Sequence, residues 1–158
     1  PKLVKILDQK HQHKFVANYI RNNPQQSIGV FCPKVSAVSA WHKGLEEEKV
    51  PVQYYHYQAR VQPPDFQKPG AICVTCYSAK GLEFDAVFVV GIDKWSTEVK
   101  EKMLLFVACS RPRSQLFVLY KKMPEIISRN IADRNLQMND LADLTEYSGQ
   151  DIDEIFDD

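Results

Sequence analysis

Apolar residues recur along this chain in two rhythms. Phe15, Val16, Tyr19 and Ile20 fall at helical spacing between residues 10 and 22, and Asn23-Pro24 ends that run, because proline cannot continue a helix and disfavours α geometry in the residue before it. Val35, Val38, Trp41 and Leu45 mark one face of a second helix over 35–49, which closes on the charged end Glu46-Glu47-Glu48-Lys49. Short apolar runs occupy 27–31, 52–57, 71–75, 86–91 and 115–120, the pattern of strands buried on both faces. Residues 99–110 predict a further helix, and Pro63, Pro64, Pro69 and Gly70 mark a loop. Strands alternating with helices predict right-handed crossovers and an α/β fold with a mainly parallel sheet. Beyond Ser128, Leu136, Met138, Leu141 and Leu144 predict one short amphipathic helix.

Composition narrows this picture without changing it. At 158 residues, 44% hydrophobic and 25% charged, the chain fits one globular domain with a sizeable core. No apolar run approaches the roughly 18 residues of a membrane span, and no signal-peptide pattern opens the chain; a cytoplasmic location without membrane contact is expected. The cysteines (Cys32, Cys73, Cys76, Cys109) lie in apolar or helical stretches. Cys73 and Cys76 have the spacing of a metal or redox pair, but on a strand that spacing points the thiols to opposite faces, and no second ligand pair occurs. No metal site is expected. Trp41 at helical spacing reads as core, and His11, His13 and His42 as surface residues.

The net charge of zero conceals an asymmetry. From residue 131 onward nine acidic residues face Arg134 alone, a net of −8, so residues 1–130 carry +8. A basic body suits a polyanion, and the acidic end (Asp151-Ile-Asp-Glu-Ile-Phe-Asp-Asp158) has the composition of an interaction peptide.

The candidate chemistry is concentrated in residues 74–85, Val-Thr-Cys-Tyr-Ser-Ala-Lys-Gly-Leu-Glu-Phe-Asp. Thr75, Tyr77 and Ser78 offer hydroxyls, Lys80 a point charge, and Gly81 a backbone that a ligand can approach closely. This block resembles motif V of UvrD/Rep-type superfamily 1 helicases, usually Thr-x-His-x-x-Lys-Gly-Leu-Glu-Phe. Residues 104–113, Leu-Leu-Phe-Val-Ala-Cys-Ser-Arg-Pro-Arg, are similar to motif VI, commonly Leu-x-Tyr-Val-Ala-x-Thr-Arg-Ala. A weaker match to motif IV covers about 27–35, where Lys34 stands one position from the family's usual polar residue. Tyr77 replaces the usual histidine and Pro112 the usual alanine.

The resemblance implies the second RecA-like motor domain over 1–127, a three-layer sandwich of the P-loop NTPase type without its own Walker A, followed by an acidic tail at 128–158 that is partly helical or flexible. It implies that Arg111 reaches the phosphates of ATP as an arginine finger, with Gly81 and Glu83 also at the nucleotide. A guanidinium is suited to this, since its planar fork stays protonated and engages two oxygens. Taken without the motif, Arg111 reads as a cation at a helix C-terminus; the motif reverses that reading. Glu83 either meets the ribose or pairs with Lys80 or an arginine across the cleft. Thr75, Tyr77, Ser78 and Lys80 are implied to hold the backbone of single-stranded DNA, and Arg113 to face solvent or support its neighbours.

No Gly-x-x-x-x-Gly-Lys-Ser/Thr loop occurs in the chain. The resemblance therefore implies that ATP and Mg2+ are bound mainly by an N-terminal RecA-like domain of a larger ATP-dependent DNA helicase, and that this piece alone is inactive. The competing expectation is a non-catalytic helicase-like module that recruits a protein partner through its acidic tail.

Overall fold

A computed structural model of the protein describes residues 2–60, 62–79, 81–94, 104, 105, 107–122 and 144–146. In chain order these form β1 (Lys2–Lys5), α1 (Gln9–Asn22), β2 (Ser27–Cys32), α2 (Val35–Glu47), β3 (Val52–Tyr55), β4 (Gly70–Thr75), β5 (Phe84–Val89), a 3-10 turn (Ile92–Lys94), helical residues at 104, 105 and 107–109, β6 (Pro112–Tyr120) and β7 (Leu144–Glu146). Among the described residues the sheet has seven strands in the order β3-β4-β2-β5-β6-β1-β7. All its pairings are parallel.

Continuous apolar strands bury both faces because consecutive side chains alternate between them. Along β5 and just beyond, Ala86, Phe88 and Val90 join one core while Phe84, Val87 and Val89 join the other. The first core lies under α1 and α2, where Phe15 and Tyr19 of α1 meet Phe88 and Phe117, whose rings stack at 4.8 Å. The second core receives Leu105, Ala108, Ala79 and Ile92. The result is the expected three-layer α/β arrangement around a mainly parallel sheet. Among the described residues no helix is long and apolar enough to cross a membrane.

Helix starts differ in how they are satisfied. Asp8 caps α1, accepting from the amides of Lys10 and His11. Lys34 at the start of α2 makes no side-chain cap, and no acidic residue occupies that helix's first turn.

Several expectations are corrected. Lys2–Lys5 is a strand paired with β6, which the short run between two lysines did not announce. Leu144 enters a strand beside β1 rather than the helix predicted with Leu136, Met138 and Leu141, which lie outside the described residues. His13 is not a surface residue: its ring wedges between α1 and α2, edge-on to Trp41 at 4.5 Å, in space that exists because position 44 has no Cβ. His42 is half-buried, with its Nε2 3.2 Å from the Val52 carbonyl. Trp41 is core, as expected. Cys73 and Cys76 do face opposite cores, and burial pushes the Cys76 thiol up to about 12, which leaves it protonated at neutral pH.

Candidate functional site

Because every pairing is parallel, the sheet has one edge where strands begin and one where they end. Thr75 closes β4, and Phe84 opens β5. Their connection, residues 76–83, is shorter than the dozen or more residues of an ordinary parallel crossover. It carries the chain from one edge to the other, past six-residue strands that span roughly 20 Å. The expected site residues are thereby divided between the two edges.

At the strand ends, Thr75 is buried and its side chain organises the turn. Its Oγ1 donates to Ser78 Oγ at 2.8 Å and accepts from the Ser78 amide at 3.0 Å. The Ala79 amide donates to the Thr75 carbonyl, and the Cys76 amide to the Cys32 carbonyl, which ties this turn to the end of β2 and hence to Lys34. Tyr77 projects outward, 66% exposed. Lys80 lies outside the described residues. Gly81 adopts φ +86°, a left-handed conformation that other residues rarely tolerate, and a Cβ there would meet nothing within 4 Å. The need at Gly81 is therefore conformational.

At the strand starts, Glu83 and Arg111 are brought side by side. The Phe84 amide donates to the Arg111 carbonyl at 3.1 Å, and Phe84 is in register with Pro112. The helix before Arg111 is anchored by buried Leu105 and Ala108 and tightens at its end: the amides of Ser110 and Arg111 donate to the carbonyls of Val107 and Ala108. Pro112, which lacks an amide hydrogen, then opens β6. Glu83 is exposed; Arg111 is partly buried, and its Nε has no hydrogen-bond partner. Leaving such a donor buried and unpaired costs about 1–3 kcal/mol, more for a charged group.

Arg113 does more than face solvent. Its Nε donates to Asp85 Oδ1 at 3.1 Å, its Nη2 to Ser27 Oγ at 3.3 Å, and its Nη1 lies 3.9 Å from Glu83 Oε2. Asp85 Oδ2 also accepts from the Ser27 amide at 2.9 Å. The Ser27 amide and then Arg113 hold the Asp85 carboxyl below its ordinary value. Sequence reasoning assigned no role to Asp85 or Ser27; the available sign was that Ser27 opens the run 27–31 and Asp85 ends the 74–85 block just before the run 86–91. The aromatic run 54–57 reads in sequence as a strand with half its side chains buried; in the structure Tyr57 lies beyond β3 and stands 63% exposed against Tyr77, with ring centroids 5.8 Å apart.

Known proteins resemble part of this sequence and its fold. Residues 70–119 match the family model of the UvrD-like helicase C-terminal domain. Over 64 residues the chain is 38% identical to the RecBCD enzyme subunit RecB of Chlamydia pneumoniae, a match covering 39% of this chain and 6% of that protein. The fold is similar to the C-terminal domain of a possible DNA helicase from Lactobacillus plantarum WCFS1, with TM-score 0.64 and 20% identity over 94% of this chain and 85% of that one. It is also similar to the C-terminal domain of the DEAD-box protein Dbp5, with TM-score 0.67 and 10% identity over 99% and 93%. Residues 70–119, the stretch that holds Thr75, Glu83 and Arg111, are thus similar to the UvrD-like helicase C-terminal domain, in a fold similar to those two structures.

Proposed function

We propose that this chain is the second motor domain of an ATP-dependent superfamily 1 DNA helicase or translocase, with its two ligand sites at opposite edges of one sheet. The observation that carries the reading is the adjacency of Glu83 and Arg111 at the strand starts, one short connection away from the hydroxyl turn at the strand ends.

A triphosphate is a suitable ligand for the first edge. Arg113 and Asp85 neutralise one another, Glu83 is offset by Arg113, and the Arg111 guanidinium keeps a donor without an internal partner. Arg111 stabilises charge that spreads over the transferred phosphoryl oxygens. Glu83, held near Arg113, is better suited to a ribose hydroxyl than to phosphate, since two anions repel. Magnesium supplies further phosphate neutralisation when bound and is held by the N-terminal RecA-like domain of the same protein, which also provides the phosphate loop. Alone, this chain hydrolyses no ATP.

At the second edge Tyr77, Ser78 and Lys80 position single-stranded DNA through its phosphates, and buried Thr75, whose hydroxyl is engaged by Ser78, holds the turn that presents them; such contacts carry no sequence information. The uncapped start of α2, with Lys34 at its N-cap, adds free amides and a positive charge to the same edge. Closure of the two domains on ATP would move the connection 76–83 and so link the two ligands.

The test is Arg111→Ala in the full reading frame. Turnover should fall by about 10³–10⁵-fold, with nucleotide binding and single-strand affinity largely kept. A variant with undiminished ATPase would remove Arg111 from the reaction and this reading with it.

A further inference from the structure

Between Phe84 and Ala86 the pairing of β5 with β6 shifts register: Phe84 stands opposite Pro112, but Ala86 stands opposite Gln115. Two residues of β6, Arg113 and Ser114, therefore face Asp85 alone. Both hold it: Ser114 Oγ donates to the Asp85 carbonyl at 2.8 Å and Arg113 Nε to its carboxylate at 3.1 Å. An extra residue in one strand re-aims the side chains it carries, and the device recurs beside active sites. Here it fixes the Arg113 guanidinium by two of its three nitrogens. Nε is held by Asp85 and Nη2 by the hydroxyl of buried Ser27, so the remaining Nη1 turns to Glu83 at 3.9 Å.

We infer that Arg113, aimed by this register shift and clamped by Asp85 and Ser27, is a positioning residue that makes the strand-start edge selective for a nucleoside polyphosphate. This rests on the nucleotide reading above and adds to it which phosphorylation state is favoured and why. One guanidinium against the carboxylates of Glu83 and Asp85 leaves this cluster at −1; without Arg113 it would stand at −2. Repulsion from that second charge grows with the number of phosphates on the ligand and vanishes for a neutral nucleoside. Arg113 acts through the two carboxylates, so its effect is on which ligand binds, while Arg111 acts on the phosphates. A lysine could supply the charge but not the fork that meets all three partners at once.

The experiment measures, in the full reading frame, binding of adenosine, AMP, ADP and the imido analogue of ATP by calorimetry at low and moderate salt. Arg113→Gln should weaken the triphosphate analogue roughly 5- to 10-fold, AMP less and adenosine not at all, with the difference shrinking as salt rises. In turnover the loss should appear in KM and leave kcat largely unchanged. Arg113→Lys should retain most of the triphosphate affinity. Asp85→Asn should tighten the triphosphate analogue by about 2- to 3-fold, a gain that damage to the fold does not produce. Combined with Arg113→Gln it should restore part of the loss. A loss equal for adenosine and the triphosphate, or an Asp85→Asn variant that binds the triphosphate no better, would overturn the inference and leave Arg111 at the phosphates standing. Absence of nucleotide binding by the wild-type protein would overturn the nucleotide reading as well.

Discussion

The two edges of the sheet are finished with different materials. Where the strands begin, Ser27, Glu83, Asp85 and Arg113 lock together through charge-assisted contacts, and Ser114 Oγ donates to the Asp85 carbonyl at 2.8 Å. Where the strands end near β3 and β4, the turn is held by the neutral Thr75–Ser78 pair, and the outward groups are tyrosine rings. A fixed charge array suits a ligand whose charge must be met at a defined point, because preorganised dipoles cost no rearrangement when the ligand arrives. Open aromatic faces carry no fixed charge and meet a partner through flat, largely apolar contact. One sheet thus offers a rigid end and a tolerant end, roughly 20 Å apart.

The comparison can be broken most directly at Asp85. Asp85→Ala removes the acceptor shared by Ser27 and Arg113 and should lower unfolding stability by about 1–2 kcal/mol, discounted for the partial exposure of the pair. Single-strand binding should be unaffected. An unchanged denaturant midpoint would mean that charge does not hold this edge. Because the folded carboxyl titrates below its ordinary 3.8, its contribution is complete above that pH and is lost as pH falls through the lower folded value. Asp85→Asn should flatten that part of the acid-unfolding curve.

At the other edge, Thr75→Val keeps the shape but deprives the Ser78 amide and hydroxyl of their partner. The expected cost is about 1 kcal/mol. Faster hydrogen exchange at the Ser78 amide and weaker strand binding should accompany it, with the Asp85 titration unchanged. If the acid limb shifted as well, the edges would not be separable.

The smallest effect belongs to neither edge and calibrates both. Burial pushes the His13 imidazole below its ordinary 6.5. Its contribution is complete above pH 6.5 and is lost as pH falls from there through the lower folded value. Acid should therefore weaken the α1–α2 layer before it reaches Asp85, and His13→Gln should abolish the earlier, shallower slope in a pH series of thermal melts. The turn at Thr75 and Ser78 carries no group that titrates in either range.

Much of the architecture was legible because burial is written locally. Phe15, Tyr19 and Ile20 repeat with the period of a helix and Ala86 to Val90 form a buried run, so helix and strand follow from spacing alone. The motif block at 74–85 and Arg111 stood out as candidate chemistry because residue type and short spacing are also local. What escaped was set by partners distant in sequence. β1 is four residues long and is defined by its pairing with β6, more than a hundred residues later. His13 is half-buried because Gly44 leaves room for its ring. The ring of Tyr57 meets that of Tyr77 only because β3 and β4 are neighbours.

The sequence by itself determined that this is an alternating α/β chain with a helicase-like block, since side-chain period and residue type are properties of a short stretch. Only the tertiary structure decided that Thr75 and Glu83, eight positions apart in one motif, stand at opposite ends of a sheet, while Glu83 and Arg111 stand together. Strand direction and neighbour order are fixed by non-local hydrogen bonding and core packing, and no local pattern encodes which edge a residue will reach.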